Sequence, residues 1–176
     1  THSQLESLYP ATIRGKQDVE IRPQVSGFIT KLCIDEGSVV KKGQPLFIID
    51  QVQYEEAVNI ADAAVNVAKS QVSTAQLTAD NKKELAKRNI ISQYELQMAL
   101  NDLATAKANL AQANAQLVNA RKNLSYTVVT SPSNGIAGNI PFRVGSLVSP
   151  SSATPLTTIS DISEMYAYFS MTEKQL

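Results

Sequence analysis

The chain has 176 residues and a mass of 19.0 kDa, and its sixteen basic and sixteen acidic side chains give a formal net charge of zero. That balance argues against nucleic-acid binding, which draws on a basic excess. With one His, one Cys, no Trp and no CxxC, HExxH, GxGxxG, P-loop or GxSxG spacing, the sequence predicts no catalytic site, no metal site and no cofactor.

The turn-forming residues are unevenly placed. All seven Gly and all seven Pro lie at or before Pro45 or at or after Pro132, so the 86 residues from Leu46 to Ser131 contain neither. A compact domain needs turns throughout its length, so this pattern predicts one structure interrupted by another. No apolar run reaches the roughly 18 residues of a membrane-spanning helix. The start of the chain shows no signal peptide or lipidation site, which is expected of mature or truncated sequence.

In chain order, residues 1–18 carry a possible strand at Leu8 to Ile13. From Val19 to Asp50, short β-branched runs alternate with turn signals at Ser26–Gly27, Glu36–Gly37, Lys42–Gly43 and Pro45. Strand alternation places Cys33 on one face with Lys31 and Asp35, opposite Phe28, Leu32 and Ile34. A single cysteine allows no intrachain disulfide.

Residues 51–125 have helical periodicity. Glu55–Glu56 fits a helix first turn, where negative charge is favoured. One apolar stripe runs Tyr54, Val58, Ala61, Val65, Ala68, Val72, Ala75 and Ala79. A second runs Leu96, Ala99, Leu103, Ala106, Leu110, Ala113, Leu117, Ala120 and Leu124. The alternating spacings of three and four predict an antiparallel coiled-coil hairpin, with these residues as its seam. The break falls at Asn89-Ile90-Ile91-Ser92, and Ser92 with Glu95 forms a capping-box signature. Lys82, Lys83, Lys87 and Arg88 load the last turns of the first helix, opposite in sign to its dipole end. The outer positions are rich in amides and hydroxyls, among them Asn59, Asn66, Thr74, Asn101, Thr105, Asn109, Gln112 and Asn119. Uncharged polar faces cost less to desolvate than Glu/Lys faces, so they suit helices packed side by side as well as solvated ones.

Residues 126–160 return to the strand rhythm and repeat the first flank. Gly135 and Gly145 are ten residues apart, as are Gly27 and Gly37. Ser26-Gly27-Phe28-Ile29 is answered by Asn134-Gly135-Ile136-Ala137, and Gly37-Ser38-Val39-Val40 by Gly145-Ser146-Leu147-Val148. Pro45 to Ile49 is answered by Pro155 to Ile159 after a two-residue insertion. Such self-similarity predicts two half-sandwiches packed with pseudo-twofold symmetry. Residues 161–176, with a possible strand at Tyr166 to Met171, and residues 1–18 are read as part of a second β-domain.

Three stretches carry a family resemblance: Ile21-Arg22-Pro23-Gln24-Val25-Ser26-Gly27, Glu36 through Leu46, and Asn123-Leu124-Ser125-Tyr126-Thr127 continuing to Ser131-Pro132, Asn134-Gly135 and Val144 through Val148. With them the chain resembles the periplasmic adaptors, or membrane fusion proteins of the HlyD-like family, of tripartite resistance-nodulation-division (RND) multidrug efflux pumps. The resemblance implies an elongated α+β molecule. Its parts would be a lipoyl-like sandwich (barrel-sandwich hybrid) at 19–50 and 126–160, a coiled-coil hairpin at 51–125 with its tip near 86–92, and part of a β-barrel at 1–18 and 161–176. A membrane-proximal domain and most of the barrel would lie outside these residues.

The implied partners are an inner-membrane RND transporter, an outer-membrane TolC-like channel and further copies of the chain in a ring, usually a hexamer. The implied place is the periplasm of a Gram-negative bacterium, with the full-length protein attached to the inner membrane. The family's Arg-x3-Leu-x6-Ser tip pattern falls on Asn81, Leu85 and Ser92, so Asn81 stands where Arg is usual, with Lys82 beside it. Leu85, Ser92, Asn81, Lys82 and Arg88 are thus the candidate docking residues. Val58, Val65, Val72, Leu103, Leu110 and Leu117 are the structural seam, and Gly27, Gly37, Gly135 and Gly145 the structural turns. Two other functions compete: an adaptor of an ABC-type exporter or type I secretion system, and a biotinyl or lipoyl carrier. The carrier needs a modifiable Lys at the joint after Asp50, where this chain instead opens into helices.

Overall fold

The computed structural model describes residues 18–161. The possible strands at Leu8 to Ile13 and Tyr166 to Met171, and with them the partial barrel, lie outside the described residues. The chain divides into two compact units, one comprising residues up to Asp50 and from Tyr126 onward, the other Gln51–Ser125.

The first unit is a sandwich of two four-stranded antiparallel sheets. Its strands are β1 (Asp18–Ile21), β2 (Gly27–Leu32), β3 (Val39–Val40) and β4 (Pro45–Ile49) before the helices. After them come β5 (Val128–Thr130), β6 (Gly135–Ala137), β7 (Leu147–Val148) and β8 (Thr157–Ser160). One sheet has the order β1-β8-β6-β3 and the other β5-β4-β2-β7. Exchanging each strand of the first half for its counterpart in the second (β1 for β5, β2 for β6, β3 for β7, β4 for β8) converts one order into the other. The internal repeat therefore is the symmetry of the sandwich, and each sheet draws strands from both halves. Neither half could close a sheet alone.

The symmetry reaches individual hydrogen bonds. The Gly37 N–H donates to Ala137 O at 2.9 Å, and the Gly145 N–H donates to Ile29 O at 2.8 Å. In return, Ala137 N donates to Ser38 O and Ile29 N to Ser146 O, both at 2.9 Å. Both glycines have positive φ, +80° and +93°, at the third position of a turn closed by a Ser38 N to Asp35 O or Ser146 N to Arg143 O bond. This is type II geometry, which asks for Gly at that position. The core obeys the same pairing: Val40 with Val148, Ile49 with Ile159, and Leu46 with Leu156 are all buried. The exception is Phe47, whose counterpart is Thr157, a buried residue whose hydroxyl has no hydrogen-bond partner.

Two details depart from the expected strands. Asp18, assigned from sequence to the preceding segment, is the first residue of β1 and pairs with Ser160. In β2 the inward residue is Ile29, while Phe28 points outward and is 54% exposed. Simple alternation fails because the β2–β4 register shifts between Ile29 and Lys31. A bulge adds one residue to one strand and flips the parity of those beyond it.

The second unit is the helical hairpin: α1 (Val52–Lys87, 36 residues) and α2 (Gln93–Ser125, 33 residues). At 1.5 Å per residue α1 is roughly 54 Å long. Glu55 lies in its first turn and Lys87 in its last, each favourable to the helix dipole. Val65, Ala68, Ala113 and Leu117 form a buried cluster against which Val58, Ala61 and Leu110 pack. Ala99, Leu103 and Ala106 on α2 and Ala79 and Ala86 on α1 are buried nearer the turn. Alternation of a large residue with alanine lets the helices approach closely while filling the seam.

Candidate functional site at the hairpin turn

Helix α1 ends by a specific mechanism. The Asn89 N–H donates to Ala86 O and the Ile90 N–H to Leu85 O, both at 3.0 Å. Asn89 has φ +57°. These are the two reversed bonds of a Schellman motif, with Asn in the left-handed position usually given to Gly. Asn tolerates that conformation better than other non-glycine residues, so a Gly-free sequence can still turn here. Four residues follow Arg88 before α2 begins, and Ser92 caps the new helix by accepting from Glu95 N at 3.2 Å. The Glu95 side chain, expected to fold back onto the Ser92 N–H, instead lies 3.7 Å from Lys82 Nζ on the opposite helix. It thereby ties α1 to α2 beside the turn.

The sequence-predicted tip residues now have distinct environments. Lys82 is engaged by Glu95, and Arg88 lies 3.6 Å from Glu84 one turn back. The basic cluster is thus partly neutralised by its own helices. Asn81 and Ser92 are exposed, and Leu85 is half-buried with its carbonyl engaged in the Schellman motif. Val58, Val72 and Leu110 are half-buried, whereas Val65, Leu103 and Leu117 are buried.

Sequence reasoning missed an apolar feature. Ile90, Tyr94 and Met98 are exposed by 63%, 73% and 50%, and they recur every four residues from the turn into α2. That spacing puts Tyr94 and Met98 on one helix face. The available signal was register: both fall outside the stripe set by Leu96, Ala99 and Leu103. The turn therefore presents an apolar strip together with exposed Asn81 and Ser92, and two of its four basic residues, Lys82 and Arg88, are ion-paired. Such a surface suits packing against another protein rather than chemistry on a small molecule.

Farther from the turn, the hairpin exposes Asn66, Thr74, Asn101, Thr105, Asn109, Gln112 and Asn119, interspersed with exposed Ile60, Val67, Leu77 and Val118. An open groove is lined by Val67, Ser70, Gln71, Thr74, Ala75 and Thr78 of α1 with Ala99 and Asp102 of α2. Among the described residues no cluster of potential metal ligands occurs, and no helix is long and apolar enough to cross a membrane.

Comparison with known proteins covers both units. Residues 17–160 match the family model described as RND MFP, barrel-sandwich hybrid domain. The chain is 34% identical over 163 residues to the multidrug efflux pump subunit AcrA of Escherichia coli K12, covering 93% of this chain and 41% of that protein. It is 35% identical over 147 residues to the multidrug resistance protein MdtE of the same organism, covering 84% of this chain and 38% of that one. The crystal structure of MacA from Actinobacillus actinomycetemcomitans superposes with a TM-score of 0.66 at 30% identity, covering 84% of this chain and 50% of that chain. The chain thus spans about two fifths of the length of the curated relatives it matches. The matched segment holds both halves of the sandwich and the whole hairpin between them. By that match, the chain belongs to the RND membrane fusion protein family.

Proposed function

We propose that the protein of which this chain is part is a periplasmic adaptor in a tripartite drug efflux pump of a Gram-negative bacterium. It links an inner-membrane RND transporter to an outer-membrane TolC-like channel and is itself held at the inner membrane. It acts by assembly and sealing, as a ring that we take to be a hexamer. The observation that carries this reading is the RND family match, which runs through the hairpin as well as the sandwich. The same match, with relatives named for multidrug efflux, favours the RND adaptor over one serving an ABC-type exporter or type I secretion system.

In this reading the hairpin turn meets the helical end of the channel. Asn81, Leu85 and Ser92 contribute polar and apolar contacts, and Lys82 and Arg88 stand beside them. With Asn81 in place of the usual Arg, the exposed Ile90–Tyr94–Met98 strip supplies contact area that a charged anchor would otherwise provide. The neutral outer faces of α1 and α2 suit contact with neighbouring hairpins, since little charge must be desolvated.

The test is a drug-resistance assay in cells carrying single substitutions at the turn. Tyr94→Asp should lower resistance toward the level of a deletion strain, with helical content and adaptor abundance unchanged, because Tyr94 is largely exposed. Leu85→Asp should do the same, but Leu85 is half-buried and its effect needs the folding control. Wild-type resistance with both variants would refute docking through this turn.

A further inference from the structure

The sequence has eleven asparagines, and Asn134 alone is followed by glycine. The side-chain amide of an asparagine can be attacked by the backbone nitrogen of the next residue, because the reacting atoms are already neighbours. The side chain of that next residue hinders the closure at the other positions, whereas Gly135 leaves the nitrogen open and the backbone free to turn. Asn134 is exposed to water, while Gly135 is buried.

The fold holds both reacting groups away from each other. Asn134 Oδ1 accepts from Lys42 N at 2.8 Å. That bond belongs to a docked turn, in which Gly43 N donates to Ser131 O at 2.7 Å and Ser131 N donates to Gln44 O at 3.0 Å. Gly135 opens β6 and stands opposite Val40 of β3. On its other side β6 pairs with β8, and a Cβ on Gly135 would collide with Ser160 O there. For the ring to close, the Asn134 amide must leave Lys42 and swing onto a nitrogen that the β3–β6–β8 pairing fixes. The matching position in the other half is Ser26 before Gly27, which has no amide to lose.

We propose that Asn134-Gly135 is a self-modification site, kept closed by the folded sandwich and opened by unfolding. Once β6 is released, the Gly135 nitrogen bonds to Asn134 Cγ and the Cγ–Nδ2 bond breaks. Ammonia departs with the Gly135 amide proton, and water then opens the succinimide at either carbonyl. One product is an aspartate, whose carboxylate can still accept from Lys42 N. The other is an isoaspartate, which routes the main chain through the former side chain and adds a methylene before Gly135. The sheet has no room even for a methyl group at Gly135, so the lengthened chain displaces β6 from β3 and β8. A chain left unfolded for long thereby loses its route back to the native sandwich.

The experiment holds the native-length protein at mildly alkaline pH with and without urea, then reads amide loss at each asparagine by peptide mass spectrometry. In urea, Asn134 should convert about tenfold faster than any other asparagine, and folding should slow it by about a hundredfold. Equal rates in the two states, or a faster asparagine elsewhere, would overturn the proposal. After dilution from urea, the isoaspartate form should be confined to chains that do not regain the native state. Asn134→Ser, which copies Ser26, and Asn134→Asp should both refold fully after the same incubation. Refolding of isoaspartate-bearing chains to the same extent would overturn the block. Failure of both variants to refold would overturn it too, by placing the cause in the lost Asn134 side chain rather than in the lengthened backbone.

Discussion

Three residues of the sandwich show how a single position is constrained by its place in the symmetric fold. A Cβ on Gly135 would collide with the backbone carbonyl of Ser160 and lie 2.7 Å from Ile159 Cγ2, whereas one on Gly37 meets nothing nearby. Gly135→Ala must therefore shift a strand, while Gly37→Ala bears only the strain of positive φ. Urea unfolding should show Gly135→Ala destabilised by about 2–3 kcal/mol and Gly37→Ala by about 1 kcal/mol. Thr157 presents the opposite case. It occupies the site of Phe47 in the other half, and its buried hydroxyl is unpartnered. Thr157→Val keeps the shape and removes the unsatisfied group, so it should stabilise the sandwich by about 1 kcal/mol in the same measurement.

At the scale of the element, the hairpin depends on its seam and its turn, and the two fail differently. Leu103→Ala and Leu117→Ala should each cost about 2–4 kcal/mol, because alanine neighbours leave little to fill the void. Leu110→Asp places an unpaired charge against the Val65–Ala68–Ala113–Leu117 cluster and should splay the helices, seen as lost helical signal on heating. At the turn, Asn89→Gly should raise the melting temperature slightly, and Asn89→Val should lower it by the equivalent of about 1–2 kcal/mol. Lys82→Ala removes a partly exposed pair with Glu95 and should change stability by under about 1 kcal/mol. Its effect on export would therefore report docking rather than folding.

For the whole molecule, the arrangement separates assembly from chemistry. The sandwich is built from strands of both halves, and the hairpin presents amide-rich flanks and an exposed apolar strip at its turn, where Lys82 and Arg88 are ion-paired. A turn variant such as Tyr94→Asp should lose export while still forming multimers. Export assays and crosslinking in the same strain should show this separation.

The two-part plan was legible in the residues before any fold was known. The Gly- and Pro-free span marked the helices, the 3.5-residue stripes marked their seam, and the ten-residue glycine spacing marked the repeat. These are local or periodic signals, written wherever a backbone must bend or a face must be buried. The rest depends on contacts between elements distant in the chain. The β2 bulge that turns Phe28 outward depends on how β2 meets β4, which no alternation within β2 records. The pairing of Glu95 with Lys82 rather than with its own cap depends on a helix thirteen residues earlier in the chain. The exposure of Tyr94 and Met98 depends on which face α1 covers. The net charge of zero likewise hid a meeting of charges: Glu36 accepts from Ile140 N and Arg143 donates to Ile140 O, so an acid and a base far apart in the chain converge on one residue. Composition sums charge over the chain, but folding sets where each charge stands.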